Sequence, residues 1–219
     1  MVGVTIWRLR PENAGDDKGA VRILRPKKDS KQLVKYILER IEEGKPIPAG
    51  ENVRLGIEVP RSGYLYVIDR EEYAENKLGD PVLIFPSTLS LNNAVAAGRL
   101  VMIPTDPEVY FESDPQPDQR GELLTLLVTP EPLNLKVGPE TTTPLPKEQF
   151  ALWEKRWSVR TERIKVDGAA DQLYLEAEKA AAEKPKQMLT QDDPPPQVIY
   201  RVAAKPGDPL FVSVRLQYR

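Results

Sequence analysis

The chain has no cysteine and no histidine among its 219 residues. Without cysteine there is no disulfide, no thiolate nucleophile, no zinc–sulfur site and no iron–sulfur cluster. Without histidine the commonest general acid–base and the commonest transition-metal ligand are missing, and a Ser–His–Asp triad is excluded. Catalysis would have to run on carboxylates, lysine, tyrosine, serine or threonine. A strong excess of one charge is also lacking. The formal net charge is −2, which argues against a dedicated nucleic-acid binder, where positive charge supplies most of the affinity. No apolar run approaches the roughly 18 residues of a membrane span. Neither a GxGxxG nor a GxxxxGK[ST] phosphate loop occurs, and Arg61-Ser62-Gly63 lacks the flanking glycines of a nucleophile elbow.

What the sequence does contain is a series of short strand-like runs. Val53, Leu55, Ile57 and Val59 alternate with polar or small residues. Gly63-Tyr64-Leu65-Tyr66-Val67-Ile68, Val82-Leu83-Ile84-Phe85, Leu100-Val101-Met102-Ile103, Val109-Tyr110-Phe111 and a run from Leu123 to Val128 follow. Apolar alternation with β-branched and aromatic residues, broken by Pro, Gly, Asn and Asp, predicts antiparallel strands. Residues 4–9 and 21–24 predict two earlier strands, 198–202 and 210–216 a closing hairpin over about 198–217. Gly63 is placed for the turn between the first two core strands.

Helices are expected in four places. Asp29-Ser30 caps one running from Ser30 to about Glu43, with Leu33, Ile37 and Ile41 on one stripe. Residues 91–97 form a helical turn ended by Gly98. Lys147 to Trp157 carries Phe150, Trp153 and Trp157 at helical spacing, and Ala169 to Lys184 is alanine-rich; together these two make a helical insertion over about 147–185. The expected fold is mainly β, an antiparallel β-sandwich or partly closed barrel with a few peripheral helices. The whole chain, 1–219, is read as one β-rich domain.

Three clusters could carry chemistry. The loop from Asp69 to Asp80 holds Asp69, Glu71, Glu72, Glu75 and Asp80, with Arg70 and Lys77 among them. Its spacing does not match the calcium-loop pattern, so a solvated acidic loop with no metal is expected, with Tyr73 anchoring it. Arg22, Arg25, Lys27, Lys28, Lys31 and Lys35 form a basic stretch without the aromatic interleaving that single-stranded nucleic acid favours. Tyr64, Tyr66, Tyr110 and Phe111 read first as packing residues and second as the lining of a groove. Pro194–Pro196 reads as a rigid spacer.

From Gly63-Tyr64-Leu65-Tyr66-Val67 onward the chain resembles the bacterial family known as domain of unknown function 4384. The likeness continues through Leu83-Ile84-Phe85-Pro86, Asn92-Asn93 with Ala97-Gly98, Ile103-Pro104, Gly121-Glu122, Leu126-Leu127-Val128 and Pro132-Leu133, and covers about residues 51–133. The resemblance implies an accessory β domain, often on exported proteins or beside protease-like or kinase-like modules. It brings no catalytic residues, and the flanks 1–50 and 134–219 lie outside it.

The expectation is therefore a non-enzymatic interaction module of a bacterial cell-envelope protein, with a protein partner, no nucleic acid, no cofactor and no membrane-spanning segment. A periplasmic or secreted location is expected, with the export signal outside this sequence; a cytoplasmic one is compatible. Two alternatives stand beside it: a carboxylate-dependent hydrolase or sugar-active enzyme using the loop from Asp69 to Asp80, and a small-ligand or peptide binder.

Overall fold

The computed structural model describes residues 1–26, 32–41, 44–168, 171–183, 189 and 195–219. The strands are β1 (Val2–Pro11), β2 (Arg22–Pro26), β3 (Leu33–Arg40), β4 (Asn52–Glu58), β5 (Gly63–Asp69), β6 (Glu71–Tyr73), β7 (Val82–Phe85) and β8 (Ala94–Val95). They continue with β9 (Leu100–Ile103), β10 (Phe111–Glu112), β11 (Gln119–Thr129), β12 (Thr143–Pro144), β13 (Thr161–Lys165), β14 (Val198–Val202) and β15 (Leu210–Gln217). The helices are α1 (Lys147–Trp157) and α2 (Glu176–Glu183).

Two antiparallel sheets result. The first runs β10-β4-β1-β14-β13, with β3 also on β1, β2 on β3 and β9 on β4. The second runs β12-β7-β5-β11-β15, with β6 on β11 and β8 on β5. The strands form no closed barrel, and the arrangement is that of a β-sandwich. Between the sheets lie Val4, Ile6, Leu55 and Ile57 from one side and Leu65, Val67, Leu126 and Val214 from the other. Each strand supplies every second residue to this core, as the pleat requires.

Both outer faces are covered as well. Tyr66, Ile68, Leu83, Leu127 and Phe211 of the second sheet pack under Phe150 and Trp153 of α1. Trp7, Leu9 and Leu38 of the first sheet pack against Tyr174 and Val21. Burial on both faces explains why β1 and β5 read as nearly continuous apolar runs.

A buried glutamine joins the halves of the first sheet. β3 leaves β1 near Trp7 and β14 arrives at Val4, both on the same side of β1. Gln197 fills the gap. Its Oε1 accepts the Ile6 N–H at 3.2 Å, its own N–H donates to Thr5 Oγ1 at 3.2 Å, and its Nε2 donates to the Ile41 carbonyl. The side-chain amide thus stands in for a missing ladder bond, which a buried backbone needs.

Several expectations are corrected. The segment read as a helix from Ser30 to Glu43 holds β3, paired with β1 on one side and β2 on the other; Ser30 and Glu43 themselves lie outside the described residues. Val34, Tyr36 and Ile37 favour a pleated surface, and two long-range ladders outweigh a local apolar stripe. Residues 91–97 form no helical turn: β8 pairs with the start of β5. The hairpin over 198–217 is not one, because β14 belongs to the first sheet and β15 to the second. Leu210, Val212, Val214 and Leu216 fit the open side of β11 better than a partner that β1 and β13 already hold on both edges.

The helical insertion contains β13, which carries a single apolar residue, Ile164, and so has no alternation to read. α2 begins at Glu176 rather than Ala169, and Ala169 and Lys184 lie outside the described residues. Gly63 opens β5 instead of making the turn. A Cβ there would sit 2.4 Å from the Thr129 carbonyl oxygen, so glycine is required by the close approach of β11. Gly121 answers the same need at the other end of β11, 2.1 Å from the Leu216 oxygen.

Candidate functional site: an open strand edge and a buried carboxyl cluster

β15 ends the second sheet, so one of its edges is open. Alternation points Val212, Val214 and Leu216 into the core and Ser213, Arg215 and Gln217 outward. The Tyr218 N–H donates to Arg120 of the β11 side, whereas the Gln217 carbonyl accepts from Ile47 on the other. The ladder between β11 and β15 is regular. The backbone groups of Ser213 and Arg215 therefore face away from β11.

A cleft of about 370 Å³ runs along this edge, lined by Arg163, Tyr200, Ser213, Arg215 and Gln217 over Leu123. Among the described residues its lining holds two guanidinium groups and no carboxylate. Arg215 is held through Nε by Glu72 at 2.9 Å, and half of its side chain is exposed. A neighbouring cleft of about 360 Å³ shares Arg215 and Gln217 and continues over Tyr73 and Arg120. This edge can take an extended backbone and an acidic group together.

The acidic loop is not a solvated loop. It contains β6 and a turn of 3₁₀ helix at Ala74–Asn76, and its carboxylates separate. Glu72 turns outward to Arg215, Asp80 meets Lys147 at 2.6 Å, and Glu71 accepts the Tyr73 hydroxyl at 2.7 Å. Arg70 does not neutralise the loop. It is buried over Phe150, 4.5 Å from the ring centroid, and pairs with Glu154 at 3.0 Å.

Asp69 turns the other way. In β5 it follows Leu65 and Val67 on the core face. Glu122 occupies the same face of β11, in the series Glu122, Leu124, Leu126, Val128, directly opposite Glu71. Burial and the nearby charges of Glu122 and Glu71 push the Asp69 carboxyl up to about 8. Burial also raises Glu122, although a hydrogen bond from Tyr218 opposes the rise. Burial raises the Tyr218 phenol, with the Glu122 charge adding to it. One Asp69 oxygen, Oδ1, is buried without a hydrogen-bond partner. The shifts favour the protonated forms of Asp69 and Glu122, and among the described residues no group of three or more His, Cys, Asp or Glu has the arrangement of a metal site.

Glu122 lies just outside the apolar run from Leu123 to Val128 by which the sequence marks this strand. The signal was its place in the core-facing alternation of that strand. The structure also scatters the four aromatic candidates. Tyr66 is buried under α1 and its hydroxyl accepts the Leu133 N–H at 2.7 Å, Tyr64 packs at the margin of that cluster, and Phe111 packs on the inter-sheet core. Tyr110 lies on the opposite outer face, with Arg25 at 5.0 Å from its ring. They line no common groove. Of the basic stretch, Arg22 pairs with Glu12 at 2.6 Å, and Lys27, Lys28 and Lys31 lie outside the described residues. Pro194 also lies outside them, while the Pro195 carbonyl accepts from Arg40 at 2.9 Å.

No family model matches the chain, and neither a curated protein nor a solved structure matches it. Among the described residues no helix is long and apolar enough to cross a membrane.

Proposed function

We propose that this chain is a non-enzymatic interaction module that receives an extended segment of a protein partner along the open edge of β15. The observation that carries the reading is the backbone of Ser213 and Arg215, turned away from β11, beside a cleft whose described lining holds Arg163 and Arg215 and no carboxylate. Strand addition to a sheet edge draws affinity from main-chain hydrogen bonds and specificity from side-chain pockets. Here the pocket chemistry selects an acidic side chain. The resemblance of residues 51–133 supplies the setting, an accessory domain in the bacterial envelope, which fractionation of the native protein tests directly.

Selection of binders from a random peptide library tests the docking reading. Enriched peptides should carry Asp or Glu, slow hydrogen exchange at the Ser213 and Arg215 amides, and lose binding to a Ser213→Pro variant that unfolds like the wild type. Peptides that bind the Ser213→Pro variant equally well would remove the β15 edge from consideration.

A second reading, a carboxylate-dependent hydrolase, has one observation in its favour: Asp69 is a protonated acid beside a second carboxyl, Glu122, and such perturbed pairs concentrate at active sites. Against it, neither residue is among those lining the adjacent cleft. Turnover of chromogenic glycosides or esters that disappears in Asp69→Asn would establish it.

A further inference from the structure

On the outer face of the first sheet, Arg40, Trp7 and Arg54 stand in one row across β3, β1 and β4. Both arginines are buried, Arg40 at 2% and Arg54 at 5% exposure, and their surroundings differ. Arg40 stacks on Trp7, donates to Glu178 at 2.9 Å and to the Pro195 carbonyl at 2.9 Å. Arg54 is served by neutral groups instead, including a hydrogen bond with the Tyr110 hydroxyl. Its Nη2 donates to the Pro104 carbonyl at 2.6 Å and its guanidinium lies 5.6 Å from the Tyr110 ring centroid. No ion pair among the described residues includes it.

Two donors are left over. Arg54 Nε and the Trp7 indole Nε1 are both buried without an acceptor. The indole nitrogen packs over Gly56, 3.4 Å from where its Cβ would be, beside Leu100 and Met102, none of which offers it a side-chain acceptor oxygen. Arg25 brings a second guanidinium to the Tyr110 ring, at 5.0 Å. The carboxylate of Asp106 is on the exposed loop beside Tyr110 and contributes least among the neighbours that act on Arg54. A buried cation with an unpartnered N–H and no ion pair among the described residues is costly. An added acceptor of negative charge removes that cost.

We propose that Arg54, with Tyr110 and Arg25 beside it, forms a binding site for a small oxyanion, a carboxylate or a phosphate. The oxyanion accepts from the unpartnered Arg54 Nε–H in a charge-assisted hydrogen bond. Entry is past Tyr110 and Arg25, which are half-buried, beside the exposed residues 105–108. The site belongs to the first sheet and is independent of the β15 edge.

The test is a titration of the full chain with inorganic phosphate and with acetate against chloride at matched ionic strength. The Arg54 Nε–H resonance should shift along a saturable curve, and the melting midpoint should rise by several degrees with the same dependence. Arg54→Met should unfold no earlier than the wild type in chloride and show no saturable rise. A stronger response to phosphate assigns a phosphate ligand; a stronger response to acetate assigns a carboxylate. Equal gains in wild type and Arg54→Met would reduce the effect to general salt stabilisation and overturn the site. Should Arg54→Met not fold, the wild-type resonance decides: an Arg54 Nε–H signal unmoved by either oxyanion overturns the proposal.

Discussion

The outer face of the first sheet and the core-facing end of the second hold opposite electrostatic problems. Around Trp7, two guanidinium groups are buried and the carboxylate of Glu178 serves Arg40 but not Arg54; Arg54 stays charged because arginine does not deprotonate in proteins. Around Asp69, three carboxyl groups gather with no cation, and the acid solves the problem by keeping its proton. Desolvation acts on both regions with the same sign, against charge. The outcome differs because one group can become neutral and the other cannot. An unpaired buried acid therefore reports on pH, and an unpaired buried arginine reports on anions.

The largest expected effect concerns the acid. The Asp69 carboxyl lies near 3.8 in an unfolded chain and about 8 in the fold. The folded state therefore binds the proton more tightly, and the stability linked to it is complete below pH 3.8 and lost as pH rises to about 8. At 1.36 kcal/mol per unit the loss has an upper limit of about 6 kcal/mol. Urea midpoints measured from pH 5 to 9 should fall, and Asp69→Asn should flatten the slope and raise stability at pH 9. An unchanged slope in that variant would show that Asp69 ionises normally.

Next comes the compensated arginine. Glu178 is fixed twice, by Arg40 and by the Leu175 N–H at 2.9 Å, the reach-back of a capping box at the start of α2. Arg40→Met should strand that carboxylate and cost about 3–5 kcal/mol in chemical unfolding. Arg54→Met should be neutral or stabilising in chloride, within about 1 kcal/mol, because it removes an uncompensated charge. Equal losses in the two variants would erase the distinction between them. Smallest of all, Arg201→Ala breaks the pair with Glu162 at 3.0 Å, which is more than half exposed on both sides, and should change stability by no more than about 0.5 kcal/mol.

Much of the fold was legible in the residues. Leu55, Ile57, Tyr66, Ile68 and Phe85 are all buried, as their alternation required, and α1 runs from Lys147 to Trp157 with Phe150 and Trp153 on the second sheet. β3 was not legible, because Leu33, Ile37 and Ile41 satisfy a helical stripe and only the pairing with β1 and β2 decides against it. The buried charges were less legible still. Arg54 sits between Val53 and Leu55 and Glu122 just ahead of Leu123, and a charge beside an apolar residue reads as the solvent face of a half-buried strand. Here Tyr174 packs on the outer face that carries Arg54, so that outward position is not a wet one, while Glu122 turns inward with Leu124 and Leu126.

By itself the sequence determined the β character, the main strand segments of residues 53–128 other than β6 and β8, α1, and the exclusion of histidine and cysteine chemistry. These follow from local periodicity and composition, which act over a few residues. Only the tertiary structure decided that β14 and β15 part into different sheets, that Gln197 bridges β1 and the Ile41 carbonyl, and that Asp69 meets Glu122 while Arg54 meets no carboxylate. The reason is distance along the chain. Each of those contacts joins residues tens to nearly two hundred positions apart, and its energy depends on desolvation, which no local pattern encodes.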